Sequence, residues 1–167
     1  MSDRPTVENT TTWRVTMELQ EIFNKAVKHF AGMAEPSMDG TTSTQCAYRG
    51  TNGNKCVVGA FIPDELYDEN LEGDAIDPNA TGGVDGYHDT RITAVVAAAF
   101  KQKKLTQDQY VLLGTLQKIH DENADDWRIS KKDDISWYEY NRHEIFLCGE
   151  RFDLELGEVK WVPLIMN

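Results

Sequence analysis

Apolar residues recur near the start of the chain with helical spacing. Leu19, Ile22, Phe23, Ala26, Val27 and Phe30 fall at i, i+3, i+4, i+7, i+8 and i+11, one face of an amphipathic helix over 17–32. His29 flanks that stripe and reads as a packed histidine rather than a ligand. Glu35–Pro36–Ser37 ends the helix. Ile92, Val95, Val96, Ala99 and Phe100 repeat the pattern over 90–104. Alanines at 94 and 97–99 allow close packing there, and Lys101, Lys103 and Lys104 suit the negative end of the dipole. Thr106-x-x-Gln109 is a capping box, so a further helix starts after a very short turn. Leu112, Leu113, Leu116, Ile119 and His120 line its inner face, ending near Asn123. Two helices so connected are expected to lie antiparallel. Asn123–Asp126 reads as a break, with Trp127 folding back onto the pair.

Other stretches carry strand patterns. Cys46–Arg49 and Cys56–Ile62 are short runs with aromatic and β-branched residues, separated by Gly50–Thr51–Asn52–Gly53–Asn54. An Asn-Gly between such runs predicts a hairpin. Pro63 then opens a short helix, PDELYDEN, with Asp64 and Glu65 in its first turn. Ile145–Cys148, Gly149–Glu150 and Arg151–Leu156 read as a second hairpin, and Val159–Val162 as a third strand; a helix over 137–147 competes, and periodicity does not separate the two. The expected fold is therefore α+β: a helix-rich single domain with a small β-hairpin after the first helix, an antiparallel helical pair and a C-terminal hairpin. Residues 1–15 are polar apart from Trp13 and form a flexible N-terminal arm; 16–167 form one globular domain, with an acidic loop at 68–90 inside it.

Charge narrows the function. The 167 residues carry a formal net charge of −11, and no basic stripe of the kind that neutralises phosphates is visible, which argues against direct nucleic-acid binding. Plain solubility accounts for such a charge; steering toward a basic partner surface is the functional alternative. No apolar run spans a membrane and no secretory leader is apparent, so a cytoplasmic location is expected. Three cysteines in a reducing compartment do not make a disulfide framework.

Four constellations are candidates for chemistry. Cys46, Cys56 and Cys148 with a histidine have the ligand types of a zinc site, but Cys46 and Cys56 lack the close pairing such sites use; buried free thiols are the alternative. Asp64, Glu65 and Glu72 with His120 and Asp121 are the right groups for a divalent metal and a water, although no spaced ligand motif is present. Asp77-x-Asn79-x-Thr81-Gly82, with Asp85 beyond it, copies the first half of a calcium loop, but His88 stands where the bidentate glutamate belongs. Arg49 and Lys55, beside Gly50, Gly53 and Gly59, have the chemistry to hold a phosphate or carboxylate. The plainer reading pairs them with Asp64, Glu65 or Glu72 to brace the hairpin against the short helix. No cofactor motif occurs, and no nucleophile elbow.

The pattern C-x-Y-R-G-x-x-G-x-K-C-x-x-G-x-x-I-P-D-E-x-Y across 46–67, with EIFNKAVKHF before it and L-L-x-x-L-Q-x-I-H-D after it, resembles small, mostly uncharacterised proteins of tailed bacteriophages. The long acidic loop and extended C-terminus depart from the shorter members. The resemblance implies a phage origin and expression in the host bacterial cytoplasm; it brings no activity. With the charge and the absent catalytic motif, it points to a non-catalytic protein that binds and modulates a bacterial host protein with a basic surface, in host takeover or counter-defence. Two alternatives stand beside it: a small-ligand or phosphate-binding protein, or metal-dependent hydrolase, using Arg49, Lys55, Asp64, Glu72 and His120; and a virion accessory protein.

Overall fold

The computed structural model describes residues 17–39, 46–77, 90–130 and 135–157. These form four α-helices, α1 (Leu19–Gly32), α2 (Arg91–Ala99), α3 (Gln107–Ser130) and α4 (Trp137–Arg151), with short 3-10 turns between α1 and α2. Among the described residues there is no β-strand, only two isolated bridges, Met38 with Cys46 and Arg49 with Lys55. The α+β expectation is therefore overturned: the fold is helical, with an irregular segment packed onto it. The expected arm at 1–15, the third strand at 159–162 and Asp85 lie outside the described residues.

α1 buries the face its periodicity marks, Ile22, Phe23, Ala26, Val27 and Phe30. Its start is closed reciprocally by Glu18 and Glu21, so two otherwise orphaned N–H groups are satisfied. The Thr106–Gln109 capping box is formed, with Gln109 N–H on Thr106 Oγ1 at 3.2 Å and Thr106 N–H on Gln109 Oε1 at 2.9 Å. α3 then runs through the expected break without interruption. Ala124 is fully buried, and Trp127 packs edge-on to Trp137, 5.5 Å between ring centroids. Apolar packing at 124 and 127 overrides the weak helix preference of the flanking Asn and Asp.

The helix pairs in extensive contact are α1–α3, α1–α4 and α3–α4. The expected α2–α3 partnership is not among them. Helix α3 instead packs with α1 and α4, which also contact each other, and whose buried faces are larger than that of α2. α2 stops at Ala99 in a left-handed cap: Lys101 sits at φ 57°, its N–H reaching Ala98 O and that of Gln102 reaching Ala97 O, the Schellman pattern.

The C-terminal hairpin is likewise corrected to α4. Ser136 caps it by accepting the N–H of Glu139 at 3.2 Å, and Trp137, Tyr138, Asn141, Ile145 and Cys148 face inward. The Ile145–Phe146–Leu147–Cys148 run mimics a strand because Phe146 and Leu147 are apolar, yet both point outward at 45% and 51% exposure. A second Schellman cap follows, with Asp153 at φ 54° and Leu154 N–H on Gly149 O. The chain is then pinned to α1 by reciprocal bonds between the Gln20 amide and the Glu155 backbone, both 2.9 Å.

The first hairpin fails for a different reason. Its turn exists: Gly53 has φ 81°, Gly53 N–H bonds Gly50 O, and Gly50 N–H bonds Asn54 O. The ladder does not, because side chains take the donors a partner strand would have used. Tyr48 and Arg49 N–H go to Glu72, and Val58 N–H goes to Gln117 Oε1. Residues 59–61 roll into a 3-10 turn, and PDELYDEN forms two more, Asp64–Leu66 and Glu69–Leu71, instead of one helix. A buried irregular segment must have its backbone groups satisfied; here that work is done by polar side chains. Val57, Val58, Phe61 and Ile62 thereby join the same core as α1 and α3.

Candidate functional site

Around α3 a chain of hydrogen bonds ties the irregular segment to the helices. The Ser37 backbone N–H donates to His120 Nε2 at 3.2 Å, and His120 Nδ1 lies 3.0 Å from Asp121 Oδ1. Because Nε2 accepts, the neutral ring carries its proton on Nδ1 and donates it to Asp121. Gln117 completes the set: its Nε2 donates to Asp121 Oδ1 at 2.6 Å while its Oε1 accepts from Val58. His120 is fully buried between Phe30 and Trp137. Ser37 is also buried, and its hydroxyl faces Ala47 O, Asn54 O and the Gly50 N–H. Serine, histidine and aspartate are thus adjacent without being a catalytic triad, since the serine hydroxyl points away from the imidazole.

Glu72 organises the opposite side. Its Oε2 accepts from Tyr48 N–H at 2.9 Å, and its Oε1 from Arg49 N–H at 3.0 Å and the Tyr67 hydroxyl at 2.9 Å. One carboxylate thereby closes two successive backbone donors. Arg49 leaves that clamp toward solvent, stacks on Tyr67 at 4.2 Å, and pairs with Asp64 at 2.7 Å. Lys55 reaches the same Asp64 oxygen at 2.9 Å, and the two cations hold the Asp64 carboxyl below its ordinary range.

Between these two frames lies a cleft of about 490 Å³, walled by 46–48, 72–77 and the α3 residues Gly114, Gln117, Lys118 and Asp121. Glu72, Asp74, Asp77 and Asp121 all line it, against the single cation Lys118, whose ammonium lies 3.4 Å from Glu122. Asp77 N–H is anchored by the Tyr110 hydroxyl at 2.9 Å, and the Tyr48 hydroxyl donates to Asp74 O.

The residues expected to form one site are consequently divided. Arg49, Lys55 and Asp64 meet on the surface; Glu72 faces the cleft; His120 is buried behind it; Glu65 is exposed. Of the calcium-loop pattern only Asp77 is described, and it lines the cleft. Among the described residues, the metal-type ligand atoms that converge are those of Cys46, His120 and Asp121, all within 4.8 Å of one another; Cys56 and Cys148 stay apart as buried free thiols.

That trio does not suit a metal. Ligation through Nδ1 would put the imidazole proton on Nε2, head-on to the Ser37 N–H that it now accepts, whereas metal-bound histidines donate from their second nitrogen. Burial, then the charge of Asp121, pushes the Cys46 thiol well up from its ordinary value, the opposite of what activates a nucleophilic cysteine. Burial does the same to Cys56 and Cys148.

Sequence reasoning missed Ser37 and Gln117; Asp74 belongs to the acidic loop at 68–90. The signal for Gln117 was present: with His120 and Asp121 it interrupts an otherwise apolar face of α3 at i, i+3 and i+4. Comparison with known proteins finds no matching family model, no similar curated protein and no similar solved structure. The chemistry of the site therefore rests on its own residues.

Proposed function

We propose that this protein is a binding protein whose site is the acidic cleft, and that its ligand presents a cationic nitrogen, an ammonium or guanidinium. One observation carries the reading. Glu72 and Asp121 stand on the cleft wall with each carboxylate already oriented from inside the fold, Glu72 by Tyr48, Arg49 and Tyr67, and Asp121 by His120 and Gln117. Pre-oriented acceptors lower the cost of ordering on binding, and concave sites with a few fixed polar groups are where small ligands bind. Asp77 adds negative charge at the same opening, and Asp74 stands there paired with Arg91 at 3.4 Å, a native instance of a carboxylate holding a guanidinium. Binding is favoured over catalysis because the histidine nitrogens, the serine hydroxyl and the thiols nearby are each committed to structure.

The cation has two sources: a free amine, or a lysine or arginine side chain on a protein partner. The second is the form in which a bacterial host protein with a basic surface would engage a phage-encoded chain. Calorimetric titration with agmatine and cadaverine, and separately with a lysine- and arginine-rich peptide, distinguishes them. Saturable binding that weakens at least tenfold in Asp74→Asn/Asp77→Asn is expected. No heat from any of the three at millimolar concentration, with the protein folded, would remove the proposal.

A further inference from the structure

On the other side of the 46–49 segment, cations converge in a protein whose net charge is strongly negative. Arg49 Nη2 and Lys55 Nζ both contact one oxygen, Asp64 Oδ1, at 2.7 and 2.9 Å. Lys25 lies over the Phe61 ring, its ammonium 4.6 Å from the ring centre, one residue before the Ile62 carbonyl that Arg49 Nη2 holds. Its pKa is lowered, by burial first and then by the charge of Lys55. Two cations drawn onto one exposed carboxylate oxygen mark a place where an anion is stabilised.

The arginine is also incompletely used. Both hydrogen bonds from its guanidinium leave from Nη2, to Asp64 and to Ile62 O, and its buried Nε has no partner. Stacking on Tyr67, itself fixed by Glu72, holds the planar fork in place. A guanidinium matches two oxygens of one oxyanion, and Asp64 supplies only one. Asp64 is moreover loosely held, its side chain 77% exposed, and exposed ion pairs are weak.

We propose that Arg49, Lys55 and Lys25 form a binding site for a dianionic phosphate group, with Asp64 as an internal occupant that the ligand displaces. The Asp64 oxygen, shared by Arg49 Nη2 and Lys55 Nζ, marks where a phosphate oxygen sits, and Lys25 adds positive charge from the face of Phe61. The site is independent of the acidic cleft, which Arg49 and Lys55 do not line.

Inorganic phosphate, a phosphoserine peptide and citrate, each titrated at constant ionic strength and pH 7.5, test it. The readouts are calorimetry and ³¹P line broadening. Asp64→Asn is expected to bind phosphate at least tenfold more tightly than the parent; Lys55→Met is expected to lose at least tenfold, and Lys25→Met severalfold. Tighter binding of the peptide than of phosphate assigns the group to a phosphorylated protein, and the reverse assigns it to a small ligand. Binding by citrate alone overturns the dianionic-phosphate assignment. Equal affinity in Asp64→Asn and parent, or full binding by Lys55→Met and Lys25→Met, overturns the site. All three substitutions are at exposed or half-exposed positions, and unchanged circular dichroism confirms that the variants are folded.

Discussion

The backbone N–H of Ser37 donates to Nε2 of His120 across 83 positions of sequence. That single contact sets the histidine's tautomer, orients Asp121 and closes the backbone of the loop that follows α1.

His120→Ala is expected to destabilise by about 3 kcal/mol, combining a cavity beneath Trp137 with unsatisfied groups on Ser37 and Asp121. Urea denaturation measures it. Because Nδ1 carries the proton, stoichiometric zinc is expected to leave Tm unchanged; a rise of several degrees would contradict the assigned tautomer.

Glu72 and Asp64 are both paired carboxylates, yet they are expected to behave differently. Glu72→Ala strips acceptors from Tyr48 N–H, Arg49 N–H and the Tyr67 hydroxyl, at a cost of about 2–4 kcal/mol. Asp64→Ala removes only an exposed bridge, so the urea midpoint should hardly move. Equal effects would mean that the clamp is not what holds the segment.

Gly59 is demanded by close backbone approach. A Cβ there would lie 2.0 Å from Tyr48 O, and backbone cannot swing aside as a flexible side chain can. Gly59→Ala is expected to cost upward of about 3 kcal/mol, read as a lower urea midpoint. A variant as stable as the parent would show that the two chain segments are farther apart.

Lys101 and Asp153 occupy left-handed positions at helix ends, φ 57° and 54°, where glycine is the unstrained residue. Lys101→Gly and Asp153→Gly are each expected to stabilise by roughly 0.5–1 kcal/mol. Their sites end different helices, so the double variant should approach the sum. Thermal unfolding checks this; a fall in Tm for either would sink the cap assignment.

His29 makes stability depend on pH. Burial lowers its pKa below the ordinary 6.5, with the positive charges of Lys25 and Lys55 adding to the effect; its bond to the Lys55 carbonyl acts the other way. In the window between the folded value and 6.5 the unfolded chain binds more protons, so stability rises with pH there. It is complete above 6.5 and lost as pH falls toward the folded value. His29→Gln should flatten urea midpoints just below pH 6.5; an unchanged slope would assign the dependence elsewhere.

Most of the helical frame was legible in local pattern. The stripe from Ile22 to Phe30 and the Thr106–Gln109 box depend on residues three or four apart, which share a turn whatever surrounds them. Ser136-x-x-Glu139 was an equally local sign of α4, overshadowed by the contiguous apolar run at 145–148. A helix can leave Phe146 and Leu147 outside, and only the neighbouring faces of α1 and α3 decide that it does. The candidate site was legible as a set of residue types but not as a grouping. Cys46 belonged to one imagined cluster, His120 and Asp121 to another, and the fold joined them.

The amino-acid order alone determined where α1 and α2 lie, where α3 starts and how it is capped, and which faces α1 and α3 bury, because those preferences act within a turn or two of chain. Tertiary structure decided the rest. Residues 46–62 have the makings of a hairpin, but Glu72 and Gln117 arrive from other parts of the chain and take its backbone donors first. A ladder hydrogen bond and a side-chain hydrogen bond satisfy an N–H equally well; which one forms depends on what is folded within reach, and no local pattern records that.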